Sequence, residues 1–237
     1  MDNAVYATLT RQSGLLAEMR VVANNIANTA TTGYRAEGLI FSEYISALDG
    51  DAPSLSMASG RVRETSLAQG GLTQTNGTFD LAIQGDGFFM VETPQGQRLT
   101  RAGAFTPNEN GDLVTPDGAL VLDPGGAPVF VPTGAGQIAI APDGTISAAG
   151  QPVGQIGLFL PEDPNDLVRE DGVRFRADAG IVPTEGRMLQ GFVEESNVQA
   201  VMQIARMIEV QRAYELGQSF MEREDQRIRG LIQSINR

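Results

Sequence analysis

Near the N-terminus, apolar residues recur at Val5, Leu9, Leu16, Met19, Ala23 and Ile26, and Gln12 fills the one polar position in the series. Steps of four and three put side chains on one helical face, and Leu15 and Val22 widen it. The pattern predicts an amphipathic, coiled-coil-like helix that runs out where amides gather at Asn24, Asn25 and Asn28. The rhythm returns at the other end in Met207, Val210, Tyr214, Gly217, Met221, Glu224, Ile228, Leu231 and Ile235. That second helix is expected from about Asn197, which follows Ser196 and can cap its start. Glu209–Arg212, Glu224–Arg227 and Asp225–Arg229 have the spacing of helix-surface ion pairs, each contributing a few tenths of a kcal/mol. A helix of roughly 35–40 residues spans about 55 Å at 1.5 Å per residue, longer than an ordinary globular domain needs.

Between the helical ends the pattern changes. Asn76-Gly77, Asp86-Gly87, Asn110-Gly111, Asp117-Gly118, Asp143-Gly144 and Asp171-Gly172 are tight-turn dipeptides. They separate short strands predicted at Phe79–Ile83, Gly87–Glu92, Leu113–Val114, Ala119–Leu122, Ile138–Ala141, Thr145–Ser147 and Gln155–Leu160. Ser46–Gly60, rich in Gly, Ser, Asp and Pro, reads as a loose linker. The expected fold class is α+β. The terminal helices of 1–35 and 194–237 pair into one discontinuous domain, 36–71 is linker or extended chain, and 72–193 is an inserted β-rich domain. Two helices joined through a β insertion can pair antiparallel, and their remaining outward apolar residues then seek neighbouring subunits.

Composition narrows the chemistry. The chain has 237 residues and a formal net charge of −12, and all 17 of its basic residues are arginine. It has no His, Cys, Lys or Trp. A thiolate nucleophile, a P-loop or Schiff-base lysine, an imidazole base and a Ser-His-Asp triad are therefore excluded. Carboxylate chemistry and a hard-cation oxygen site stay open. The excess of acid disfavours nucleic acid as a partner, and no apolar run approaches a membrane span. Met1-Asp2-Asn3-Ala4 does not begin like a cleaved signal peptide.

The oxygen-rich stretches read as loops. Pro107 to Asp112 resembles a calcium loop, but Thr106 and Asp117 stand where the first and twelfth ligands belong. Gly85-Asp86-Gly87 has no evident partner carboxylate, and Pro161 to Asp166 reads as a solvated acidic loop. Gly134-Ala135-Gly136 lacks the third glycine and following helix of a phosphate cradle. No catalytic, cofactor-binding or metal-binding residue is assigned, and no cofactor is expected.

Asn24-Asn25-Ile26-Ala27-Asn28, followed by Thr32-Gly33-Tyr34-Arg35, resembles the N-terminal signature of the bacterial flagellar rod and hook proteins. Further blocks agree, in family order. They are Gly71 to Thr75 leading into Phe79 to Phe89, Leu99 to Phe105 with Asn110 to Val114, Ile140 to Ile146, Glu195 to Val198, and Met207 to Glu215. Phe79 and Ala104 depart modestly from the family pattern. The opening Met1 to Tyr6 and the short 37–70 segment are more similar to proximal-rod than to distal-rod members.

The resemblance implies a structural subunit of the rod, the drive shaft in the periplasm, assembled helically through its terminal helices. It also implies export by the flagellar type III apparatus without a cleaved signal, with copies of itself and other rod proteins as partners. The helices would form the inner layer of a tube and the β domain an outer layer. The subunit-interface residues expected on that basis are Leu9, Leu16, Met19, Asn24, Asn25, Ile26, Asn28, Gly33, Tyr34, Asn197, Met207, Val210, Gln211, Arg212, Tyr214, Glu215, Ile228 and Leu231. Classes left as alternatives are a carboxylate-dependent periplasmic hydrolase and a secreted β-rich binding module.

Overall fold

The computed structural model describes the backbone of residues 2–46, 55–132, 134 and 136–235, and the side chains of 8–40, 64–132, 134 and 136–234. The side chains of Val5 and Ile235, and residues 47–54 of the expected linker, lie outside the described residues. The chain folds as two compact units. One comprises Met1–Ala27, Glu37–Ser66 and Gln199–Arg237; the other comprises Asn28–Ala36 and Leu67–Val198. The α+β class with helical ends and a β middle therefore holds, but two boundaries differ from expectation. Residues 28–36 fold with the β unit rather than with the helix before them. Most of the expected 36–71 linker is a paired hairpin of the helical unit.

In the helical unit, α1 (Asp2–Ala27) and α2 (Ala200–Ile235) run antiparallel. The direction follows from three cross-links. Gln12 Nε2 donates to the Tyr214 carbonyl at 2.9 Å, Arg206 holds Glu18 at 2.5 Å, and Asn25 Nδ2 reaches Gln203 Oε1 at 3.3 Å. Strands β1 (Glu37–Ser46) and β2 (Leu55–Thr65) form an antiparallel hairpin with a bulge at Ile40/Phe41, and both pack on α1. Among the described residues, no helix is long and apolar enough to cross a membrane.

The stripe predicted on α2 is the one that packs. Val210 is buried, and Met207, Tyr214, Gly217, Met221 and Glu224 are half-buried. On α1 the packed face is rotated from the predicted one. It runs through Gln12, Gly14, Glu18, Val21, Val22 and Asn25, whereas Leu9, Leu16 and Ala23 are exposed. Hydrophobicity alone misplaces that face because three of its members, Gln12, Glu18 and Asn25, are polar and bond across the helix pair. The Glu224–Arg227 and Asp225–Arg229 pairs form at 2.5 and 2.9 Å. Glu209 instead pairs back to Arg206, which faces α1.

The β unit is built on a seven-stranded sheet. Its order is Leu167–Asp171, Arg174–Ala177, Gly96–Thr100, Phe89–Thr93, Leu120–Val121, Leu113–Val114 and Thr106–Pro107. Alternate residues of its central strand serve opposite faces, as a pleated strand requires. Phe89 and Val91 enter a core with Leu81, Leu113, Val121, Ile146 and Ile156, while Met90 joins Phe88, Leu99, Phe159 and Phe175. Four of the predicted dipeptides close hairpins, at Asn110-Gly111, Asp117-Gly118, Asp143-Gly144 and Asp171-Gly172. In the calcium-like loop, Asn108 Oδ1 accepts from the Asn110 and Asp112 amides, both at 2.9 Å, so its oxygen is spent on the turn itself.

Gly217 marks the closest approach of the helix pair. A Cβ there would lie 2.0 Å from Gln12 Nε2. Replacing glycine by alanine inside a helix ordinarily gains about 1 kcal/mol. Gly217→Ala is expected to lose that gain, and to show it only when combined with Gln12→Ala. Denaturant titration followed at 222 nm checks this; a full gain in the single variant contradicts the close packing.

Candidate functional site

Two places in the chain gather the signature residues, one in each unit. In the helical unit the amides at the end of α1 are put to work at once. Asn25 is 1 % exposed, and its side chain meets the peptide of Glu37 at two points. Nδ2 donates to the Glu37 carbonyl at 2.8 Å and Oδ1 accepts its N–H at 3.0 Å. The amide imitates a strand neighbour, so β1 starts against α1 with its backbone satisfied. Asn28 belongs to the β unit, where its carbonyl accepts the Thr31 N–H and its Oδ1 accepts the Thr31 hydroxyl.

The second place is a buried ionic junction in the β unit. Arg35, Arg101 and Glu194 are 1 %, 3 % and 1 % exposed. Glu194 Oε1 lies 3.0 Å from Arg35 Nη2 and accepts the Gly70 N–H at 2.9 Å; Oε2 accepts from Arg101 Nη1 at 3.1 Å. Arg101 also donates to the Gly85 carbonyl at 2.8 Å and lies over the Phe88 ring. Arg35 donates to the Ala68 carbonyl. Burial pushes the Arg35 guanidinium down to about 10, against the opposing pull of Glu194 and with a smaller push from Arg101. Burial lowers Arg101 too, again opposed by Glu194, and Asp86 helps to keep both arginines charged.

The residues around Arg35 are fitted as closely. Gly33 has φ +71°, and a Cβ on it would stand 2.3 Å from the Ala102 nitrogen, so both backbone angle and space require glycine. Its N–H donates to the Glu194 carbonyl at 2.7 Å. Tyr34 is buried, with the Arg169 guanidinium 4.4 Å above its ring; the same cation lies 4.6 Å from the ring of Phe175. Arg169 also donates to the carbonyls of Arg35 and Gly172. Asn197 bridges two passing segments, accepting the Ala36 N–H at 2.6 Å and donating to the Ala68 carbonyl at 2.7 Å. That is its use here rather than the helix cap expected of it; α2 begins at Ala200.

The expected interface residues thus divide. Asn25, Gly33 and Tyr34 are buried by their own chain, and Asn197 holds segments of its own unit together. Val210 is buried in the helix pair, while Met19, Ile26, Met207 and Tyr214 are half-buried. Leu9, Leu16, Asn24, Gln211, Arg212, Glu215, Ile228 and Leu231 face outward. The sequence pattern missed Glu194 altogether, though it adjoins the Glu195 to Val198 block. It named Arg35 and Arg101 only as members of motifs.

Two family models match this chain. The flagellar hook protein FlgE/F/G D1 domain matches residues 82–148, and the flagellar basal body rod FlgEFG protein C-terminal region matches residues 189–234. The flagellar basal-body rod protein FlgF of Caulobacter vibrioides is 38 % identical over 100 % of this chain and 99 % of its own length. FlgF of Mesorhizobium japonicum is 38 % identical over 91 % and 90 %. The chain belongs to the family of flagellar basal-body rod proteins, and its role is structural rather than catalytic. Within that family it is most like FlgF: FlgG of Caulobacter vibrioides is 33 % identical over 96 % of this chain and 98 % of the relative.

Neighbouring glutamates give a test of the junction. Glu194→Gln takes from two buried arginines the carboxylate they share, and is expected to cost the β unit about 3–5 kcal/mol. Glu195→Gln, at an exposed position holding only the Thr73 hydroxyl, should change stability by no more than about 0.5 kcal/mol. Hydrogen exchange of the Phe89–Thr93 amides reads both; equal effects would remove the junction from its central place.

Proposed function

We propose that the protein is a proximal-rod subunit that assembles helically through α1 and α2, in a coiled-coil-like tube wall that transmits torque. The observation that carries this reading is the distribution of apolar side chains on the helix pair. The α1–α2 seam takes in Gln12, Glu18, Asn25, Gln203 and Arg206, whereas Leu9, Leu16, Val201, Met202, Ile204, Ile208, Leu216 and Phe220 are exposed. A helix pair that leaves this many large apolar groups on its outer faces is built to be covered. Membership in the rod family supports the basal body as its location and other rod proteins as its neighbours.

In this reading the periplasmic rod is where the subunit works. The type III export apparatus delivers it without a cleaved signal, and the distal-rod protein is among its axial neighbours. Leu9, Leu16, Ile228 and Leu231 are the expected contact residues that remain free to serve, with Asn24, Gln211, Arg212 and Glu215 as polar contacts around them.

Leu9→Asp and Leu16→Asp test this. Both positions are exposed in the single chain, so the purified variants should keep wild-type circular dichroism and stability within about 0.5 kcal/mol. In an assembled wall the same carboxylates would be buried without partners, at several kcal/mol per subunit. Motility should be lost, and basal bodies should lack a complete rod by electron microscopy. Normal swimming with intact rods in both variants would sink the reading.

A further inference from the structure

α2 outlasts its partner. Gln12 stands opposite Tyr214 and Glu18 opposite Arg206, so the start of α1 at Asp2 falls level with about residue 224. From there α2 runs on to Ile235, about 16 Å of helix at 1.5 Å per residue. The stripe that α1 covers through Met207, Val210, Tyr214, Gly217, Met221 and Glu224 does not stop at that point. It continues into Ile228 and Leu231, with Ile232 beside them, and all three are exposed. The uncovered face is thus an extension of an interface already formed, and the surface that suits it is one like the α1–α2 pair itself.

The same unit holds a matching recess. Between the helices lies a cleft of about 390 Å³, walled by Leu15, Ala213, Leu216 and Phe220 and open at Gly217. Gln12, 4 % exposed, borders it, and its Oε1 is a buried acceptor with no hydrogen-bond partner. A buried carbonyl oxygen of this kind is unfavourable until a donor arrives. Gln233, next to the overhanging stripe, carries an amide of the chemistry that acceptor lacks.

We propose that the α2 overhang of one copy seats Ile228, Leu231 and Ile232 in the inter-helix cleft of a second copy. The proposal rests on the reading of the protein as a self-assembling subunit, and it names the contact. Knob and recess are different patches on the same chain, so the contact is heterologous and propagates instead of closing a dimer. It gives the assembly a direction, because the overhang of each copy points to the next copy's cleft.

The test uses two full-length variants with exposed substitutions, Ile232→Asp in the overhang and Leu216→Asp in the cleft. Circular dichroism must match wild type; otherwise Ile232→Ser and Leu216→Ser take their place. In sedimentation velocity the wild-type chain should form a ladder of species with rising concentration, and each variant alone should stay monomeric. Their mixture should give one species of twice the monomer mass and nothing larger, because one functional knob and one functional cleft remain. A wild-type chain that stays monomeric at high concentration, either variant forming the full ladder, or a mixture that never pairs would each overturn the proposal. In cells, intact rods with Ile232→Asp but not with Leu9→Asp would reject the cleft contact and leave the rod reading standing. Intact rods with both would reject the two together.

Discussion

The carboxylate of Glu194, shared between the guanidinium groups of Arg35 and Arg101, is the interaction on which the β unit's order depends. Burying these charges is unfavourable in itself, and it is burial that lowers the Arg35 pKa. What the junction supplies is a unique fit. Arg35 lies on the segment leaving α1, Gly70 and Ala68 on the segment leaving β2, and Glu194 with Asn197 on the segment leading to α2. Each passage of chain between the units is therefore bonded to the others within the β unit. An apolar cluster could bury as much surface, but it would not fix three separate segments in one register.

The helical unit mixes polar groups into its seam and leaves large apolar groups outside it. Its internal seam is stitched by Gln12, Glu18, Asn25 and Arg206, and several of its largest apolar side chains point away from the chain. A single copy gains specificity from those internal polar links and gives up hydrophobic burial. In the proposed assembly, packing between copies restores the burial, which links the stability of the helices to the formation of the rod. The unsatisfied Gln12 oxygen fits the same pattern: it is a polar group placed where one chain cannot complete it.

Much of this was legible in the sequence where one residue type decides the local outcome. Glycine after Asn or Asp marked four hairpins, and the α2 stripe was readable because Val210 and its neighbours follow a strict three-four rhythm. The α1 face was not, since its packed positions include Gln12, Glu18 and Asn25, which no hydrophobic pattern distinguishes from a solvated face. Strands at Gly96–Thr100, Leu167–Asp171 and Arg174–Ala177 were hidden for a related reason. Arg174–Ala177 alternates apolar residues with arginines held in ion pairs, and the other two strands have no apolar alternation at all. The β1–β2 hairpin includes part of the Ser46–Gly60 stretch, whose small and polar residues read as a linker, and it packs on α1. The junction was invisible because Arg101 and Glu194 meet across 93 positions, and pairing at that range leaves no local trace.

Ala36 and Asn197 bond across 161 positions, and that separation bears on when the β unit can finish folding. Closing a flexible loop of that length costs roughly 4–5 kcal/mol of chain entropy, and contacts so remote in sequence slow folding. A chain that emerges N-terminus first presents Arg35 long before Glu194 exists to meet it. Until the last fifth of the polypeptide arrives, the guanidinium has no buried anion, the Thr-Gly-Tyr-Arg segment has no seat, and the strand at Leu72–Gln74 lacks its partner at Phe192–Glu194. Synthesis therefore reaches residues 192–197 before this part of the β unit has all the groups that close it.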